Sequence, residues 1–281
     1  VTGERPLLEV EDLRVTYHTP KGPVHAVRGV SFTLGREKLG IVGESGSGKS
    51  QTGRAILGLT TGAEVSARKL AFSGTDLRNA DARTWRAVRG AGIAMVMQDP
   101  KYSLNPVMTV GQQLVEAARL KKGLGRRAAR DAALAMLQAV RIDDPERVLA
   151  AYPHELSGGM GQRAMIAMML IPDPDVLIAD EPTSALDVTI QLQVLAIMDR
   201  LVEARGMGLV FISHDLELVA TFCDRVLVMY AGRIVEALDA RRLADARHPY
   251  TRGLLGCLPL PERRGRPLPV MVRDPAWLAD G

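Results

Sequence analysis

Residues 38–57 read "KLGIVGESGSGKSQTGRAIL", a short apolar run, a loop in which glycine returns at positions 43, 46 and 48, and a stretch that reads as a helix. Glycine lets a backbone curl tightly enough to aim several N–H groups at one point, and a helix start adds the positive end of its macrodipole. The pattern is that of a phosphate cradle. Lys49 would reach the outer phosphates of a bound nucleotide and Ser50 would supply a hydroxyl to a magnesium ion, and the strand before the loop and the helix after it are the context this reading requires.

Two further apolar runs end in polar chemistry. In "VLIADEP" Asp180 closes the run and Glu181 follows; "GLVFISHD" ends in His214 and Asp215. Such runs read as buried parallel strands, at whose carboxyl ends ligands gather. Asp180 is then a ligand in a magnesium shell, and Glu181 can aim at a water in line with the γ-phosphate. His214 can touch the same phosphate, while Asp215 is expected to cap the next helix. Gln98, at the end of "GIAMVMQ", offers an uncharged amide to magnesium or water and marks the entry to a helical segment.

A second glycine-bearing stretch, "HELSGGMGQR" (residues 154–163), leads into the helix formers "AMIAMML". Paired glycines cost backbone entropy at a helix start, so something must need close access there, and unpaired N–H groups again make a phosphate the natural guest. Ser157, Gly158 and Gly159 are the contact candidates.

The totals exclude several classes. The chain has 281 residues, 47% of them apolar and only 4% aromatic, which implies a sizeable and mostly aliphatic core. Lys and Arg exceed Asp and Glu by 36 to 32, too little to mark a nucleic-acid binder, and arginines such as Arg126, Arg127 and Arg130 read as wet helix faces. Two cysteines make neither a disulfide framework nor a metal set. With no signal-like or membrane-spanning apolar run, the expected compartment is the cytoplasm.

Short β-like segments fill the first hundred residues and read as an antiparallel edge leading into a central sheet. From Val110 to Val140 two helix-like pieces break near Gly123 and Gly125, with Leu134, Leu137 and Val140 on one face. "RVLVMYAGRIVEA" reads as a hairpin around Ala231 and Gly232, followed by a helical "DARRLADA". The fold class is therefore α/β, with a helical subdomain over about 99–165 inserted in a domain of residues 1–258, and a short Pro- and Arg-rich tail over 259–281.

Together these motifs resemble the nucleotide-binding domains of ATP-binding cassette (ABC) transporters, a P-loop NTPase fold with an antiparallel β edge and an inserted helical subdomain. "GESGSGKS" resembles the phosphate loop, "MVMQDP" the glutamine loop, "LSGGMGQR" the signature, "VLIADE" the magnesium and base strand, "SALD" the dimer loop and "ISHD" the switch histidine. The resemblance implies ATP and Mg²⁺ as cofactors. Gly43, Glu44, Ser45, Gly46, Ser47, Gly48, Lys49, Ser50 and Gln51 would bind the nucleotide, with Tyr17 stacking on adenine. Lys49, Gln98, Glu181 and His214 would serve catalysis, and Ser50, Gln98 and Asp180 would hold the metal.

It also implies a head-to-tail pair of cassette subunits, the same or paralogous, in which Ser157, Gly158 and Gly159 meet ATP held by the partner and Asp187 links the two sites. The flanks "QDPKYSLNP", "YPHELSGGM" and "HPYTRGLL" are similar to those of importer ATPases for dipeptides, oligopeptides and nickel. Such a subunit sits peripherally on the cytoplasmic face of the membrane with two transmembrane permease subunits, is served by an extracytoplasmic solute-binding protein, and binds no nucleic acid. Nickel or metal-chelate import, and a soluble non-transport cassette ATPase, are the competing readings. Two departures stand out: Gly161 replaces the arginine usual in the signature, and the tail lacks the cysteine-rich motif of many peptide-importer relatives, so no iron-sulfur site is expected.

Overall fold

The computed structural model describes residues 5–98, 103–184, 186–257 and 277. In chain order the strands are β1 (Leu8–Thr19), β2 (Gly22–Leu34), β3 (Lys38–Val42), β4 (Ala63–Ser66), β5 (Lys69–Phe72), β6 (Thr75–Asp76), β7 (Ile93–Val96), β8 (Val176–Asp180), β9 (Gly208–Ser213), β10 (Arg225–Tyr230) and β11 (Arg233–Asp239). The α-helices are α1 (Lys49–Ile56), α2 (Ala82–Val88), α3 (Val110–Lys122), α4 (Arg126–Ala139), α5 (Pro145–Ala150), α6 (Gly158–Leu170), α7 (Val188–Arg205), α8 (Leu216–Phe222) and α9 (Pro249–Gly256). Two compact units divide this chain, one of residues 5–7 and 72–210, the other of residues 8–71 and 211–257 with Trp277.

In the second of these units β1 pairs antiparallel with both β2 and β4. Leu8 and Val10 are buried, then the phase slips so that Leu13 and Val15 take over. An extra residue absorbs the slip. Asp12 adopts φ 51° and donates its N–H to the Ser31 hydroxyl, forming a bulge that keeps both halves of the strand facing the core. β3 runs parallel to β10, and its apolar run "LGIV" is buried throughout. Gly40 of β3 lets α8 pack closely, since a Cβ there would meet Val219 Cγ1 at 2.2 Å. The hairpin joining β10 to β11 turns at Ala231 and Gly232, both at positive φ (42° and 87°) as a two-residue primed turn demands.

In the first unit β7 and β8 pair in parallel, and every residue of both is buried. Burial on both faces explains their unbroken apolar sequences. The helical segment begins at Thr109, which forms a capping box with Gln112, and α3 ends where Gly123 takes the left-handed conformation at φ 65°. Ala129, Ala133, Met136 and Leu137 form the buried face of α4, and Val140 is buried just after it. Leu134, expected on that face, is only half-buried because the i, i+4 alanines occupy its centre; Arg126, Arg127 and Arg130 are exposed.

The stretch "DARRLADA" is helical, as a 3₁₀ run at Ala240–Asp245 that is interrupted by Arg242 at φ −108°. Asp239 accepts the Arg241 N–H and Arg242 pairs with Asp245, so local side-chain bonds compete with a continuous helical ladder. Among the described residues no helix is long and apolar enough to cross a membrane. The expectations for residues 99–102 of the glutamine segment, for residue 185 of "SALD" and for the 259–281 tail, Trp277 apart, lie outside the described residues.

Candidate functional site

The phosphate loop follows β3 directly, and its glycines are required for different reasons. At Gly43 (φ 152°) a Cβ would lie 2.1 Å from the Met229 carbonyl oxygen, and at Gly48 (φ 103°) 2.3 Å from that of Ala26. Backbone therefore excludes a side chain at both. Gly46 also has positive φ (81°), yet among the described residues no atom beyond its chain neighbours lies within 4 Å of where its Cβ would stand. Walled behind and open at its tip, the loop fits a phosphate group.

Hydrogen bonds lock this shape. Lys49, 5% exposed, donates from Nζ to the carbonyl oxygens of Gly43 (2.8 Å) and Glu44 (2.9 Å). The Ser47 N–H also donates to Glu44 O, and Gly232 N–H donates to Ser47 O at 2.9 Å. The Glu44 N–H donates to the Tyr250 hydroxyl at 3.0 Å. Helix α1 starts at Lys49 without a side-chain cap, which leaves its first-turn N–H groups suited to an anion.

Beside the loop, Tyr17 is half-buried on β1, opposite Val24 of β2 and Ala63 of β4. Its hydroxyl donates to Gln51 Oε1 at 2.9 Å, tying the ring to α1. His214 follows β9 and is exposed, while Asp215 caps α8 by accepting the Leu218 N–H at 3.0 Å.

In the other unit, Asp180 ends β8 and is 3% exposed. Glu181 follows in the left-handed region at φ 47°, its carbonyl accepting from both the N–H and hydroxyl of Ser184 at 3.3 Å. A non-glycine residue held there costs on the order of 1 kcal/mol, strain that concentrates at functional sites. Exposed Gln98 donates from Nε2 to Glu181 Oε2 at 3.5 Å, a long and weak bond that nevertheless brings two of the catalytic candidates together. The oxygens of Ser50, Gln98 and Asp180 are hard donors of the kind Mg²⁺ takes.

Ser157 caps α6, its hydroxyl accepting the Met160 N–H at 3.4 Å. A Cβ on Gly159 would lie 2.8 Å from Ile190 Cγ2 on α7, so helix packing requires that glycine. Gly158 differs. It is exposed, and among the described residues its Cβ would meet only Leu186 Cδ2 at an ordinary 3.7 Å. Beside it a groove of about 550 Å³ is lined by Leu104, Pro106, Pro153, His154 and Leu156, and Val107 next to it in sequence is 79% exposed.

The phosphate loop, Tyr17, Gln51 and His214 thus belong to one unit, and Gln98, Asp180, Glu181 and Ser157–Gly159 to the other. Three features escaped the sequence reading. Asp187 caps α7 through the Ile190 N–H at 3.1 Å, a role that an aspartate before a helix could have signalled. The packing of Gly159 on Ile190 and the bond from Glu44 to Tyr250 join residues distant in sequence, and no local pattern announces them. Cys223 is 7% exposed and burial pushes its thiol well above the usual range, which makes it a packing group and not a nucleophile.

Comparison with known proteins gives a consistent picture. The family model for ABC transporters matches residues 27–184. The oligopeptide transport ATP-binding protein OppD of Salmonella typhimurium is 45% identical over 271 residues, covering 96% of this chain and 81% of that protein. The dipeptide transport ATP-binding protein DppD of Bacillus subtilis is 46% identical over 266 residues, covering 93% and 79%. Among solved structures, the dimeric ATP-binding cassette MJ0796 in a post-hydrolysis state with ADP and Pi superposes with a TM-score of 0.73 at 26% identity, covering 83% of this chain and 99% of that one.

Proposed function

The chain belongs to the ABC transporter family, and we propose that it is the ATP-hydrolysing subunit of a binding-protein-dependent importer for dipeptides or oligopeptides. It would act peripherally at the cytoplasmic face of the cell membrane, with two permease subunits and an extracytoplasmic solute-binding protein. Peptide as the cargo follows from the near full-length identity to proteins named for oligopeptide and dipeptide transport. Hydrolysis as the chemistry is supported by the match to the ABC transporter family and, within this chain, by one observation: Glu181 directly follows a buried strand-end aspartate and meets the Gln98 amide.

The roles follow from the chemistry of each group. Lys49 and the N–H groups from Gly46 to Ser50 take the β- and γ-phosphates, and Gly43, Glu44 and Ser45 shape the loop that presents them. Tyr17 offers its ring to adenine, held in place by Gln51. Ser50, Gln98 and Asp180 would hold Mg²⁺, whose charge offsets that of the phosphates. Glu181 takes a proton from the attacking water, and His214 steadies the γ-phosphate.

Ser157, Gly158 and Gly159 close on ATP held by a second cassette subunit, same or paralogous, in head-to-tail order, and Asp187 links the two sites. Electrostatic stabilisation then comes from both partners. The exposed surface near Gln98 and the helical segment would receive a cytoplasmic helix of a permease subunit and turn closure of the pair into movement.

Glu181→Gln removes the base while keeping the side chain's shape. In the importer reconstituted in vesicles, ATP affinity is expected to stay within about threefold while turnover falls on the order of a hundredfold or more. Near-normal turnover would reject Glu181 as the main base. In the wild-type assembly, ATP-driven uptake of a labelled dipeptide supports the cargo, whereas nickel uptake alone, or failure to co-purify with two polytopic membrane proteins, overturns it.

A further inference from the structure

The C-terminal stretch "HPYTRGLL" is joined to the phosphate loop in the structure. Tyr250 lies in the first turn of α9, is fully buried, and accepts the Glu44 N–H on its hydroxyl at 3.0 Å. Glu44 is thereby held at both ends of one residue, because its carbonyl accepts Lys49 Nζ at 2.9 Å. The Tyr250 ring rests in turn on Tyr230 (centroids 4.5 Å apart) and on Trp277 (5.9 Å). Tyr230 ends β10 and adjoins the turn whose Gly232 N–H donates to Ser47 O.

We propose that Tyr250 is a positioning residue for ATP binding, its hydroxyl fixing the Glu44 peptide so that the phosphate loop is preformed. The proposal rests on the reading of Gly43–Ser50 as the loop that binds ATP. Two physical points give it force. A loop with three glycines at positive φ has many conformations to lose on binding, so each bond that fixes one of its peptides in advance lowers the entropic cost of binding. A phenol hydroxyl also serves where a shorter side chain would not: it reaches the loop from a ring anchored at van der Waals distance in an aromatic cluster.

The mechanism predicts a division between hydroxyl and ring. Tyr250→Phe keeps the ring contacts and removes the hydroxyl that accepts the Glu44 N–H; Tyr230→Phe changes the neighbouring ring of the cluster without altering the bond from Glu44 to Tyr250. With Mg²⁺-ATP, Tyr250→Phe is expected to raise the Kd of the purified chain and the KM of the assembled transporter about tenfold, with kcat at saturating ATP changed less than about threefold, whereas Tyr230→Phe stays within about twofold of wild type.

Far-UV circular dichroism should match wild type in both variants, and amide exchange at Glu44 should quicken in Tyr250→Phe alone. Unchanged ATP affinity and unchanged Glu44 exchange in Tyr250→Phe would overturn the proposal, as would an equal loss in both variants, which would make the cluster a general prop. Failure of the wild-type protein to bind Mg²⁺-ATP would instead overturn the reading of the loop itself, and with it the role of Tyr250.

Discussion

The phosphate loop and the signature segment both set glycines before or within a helix start, but the fold treats them differently. Behind Gly43 and Gly48 stand the carbonyl oxygens of Met229 and Ala26, close enough to forbid any side chain. In front of Gly158 the described residues offer only an ordinary contact with Leu186, and its backbone is not in the left-handed region. The first site is determined from within the chain. The second carries a glycine that its own unit does not require, which is the mark expected of a surface shaped for something outside it.

That contrast can be broken by substitution, and the phosphate loop should give the largest effect. Gly48→Ala forces a Cβ into the Ala26 carbonyl at positive φ, so a stability loss on the order of 3 kcal/mol and at least a hundredfold loss of ATP affinity are expected by thermal melting and nucleotide titration. Normal ATP binding by that variant would mean the loop can relax and is less fixed than its walls imply.

Ser157→Arg should act on the other side of the comparison. ATP affinity of the isolated chain is expected within about twofold of wild type, while ATPase activity of the assembled pair falls on the order of a hundredfold. Loss of the bond to the Met160 N–H adds a modest cost of about 1 kcal/mol in stability.

The two signature glycines sharpen the contrast further. Gly159→Ala should lose about 1 kcal/mol, because crowding against Ile190 exceeds the gain in helix propensity, and Ile190→Ala should cancel part of that loss in a double-mutant cycle. Gly158→Ala should leave the melting midpoint unchanged or slightly raised and still lower ATPase activity about tenfold. A stability loss at Gly158 equal to that at Gly159 would remove the reason for assigning it an outside partner.

Legibility from sequence followed the range of the interactions. The strand, loop and helix around Gly43–Ser50 were readable because a local run of residues determines them, and the same holds for β8, β9 and the Ala231–Gly232 hairpin. Less legible was the face of α4, where apolar spacing alone favoured Leu134 over the alanines that occupy the centre of the packed face. The short run after β11 was readable as helical but not as 3₁₀, because Asp239 and Asp245 bond locally and interrupt the ladder.

Contacts across long sequence separations were not readable at all. Tyr250 reaches Glu44 from more than two hundred residues away, and the need for Gly159 arises on a different helix. Glu181 was singled out by its place after a strand-end aspartate, but its left-handed backbone, which it shares with Asp12 and Ala231, appears only in three dimensions.

The central claim is that ATP on this chain's phosphate loop is completed by another subunit's signature segment. Its most direct test is the structure of the Glu181→Gln assembly trapped with Mg²⁺-ATP. The account requires the γ-phosphate at Gly43–Ser50 to be met by the signature residues of a second polypeptide, with Ser157 and Gly158 of this chain touching the nucleotide held by that partner. A γ-phosphate enclosed entirely by one chain, with Ser157 and Gly158 facing solvent, would contradict it.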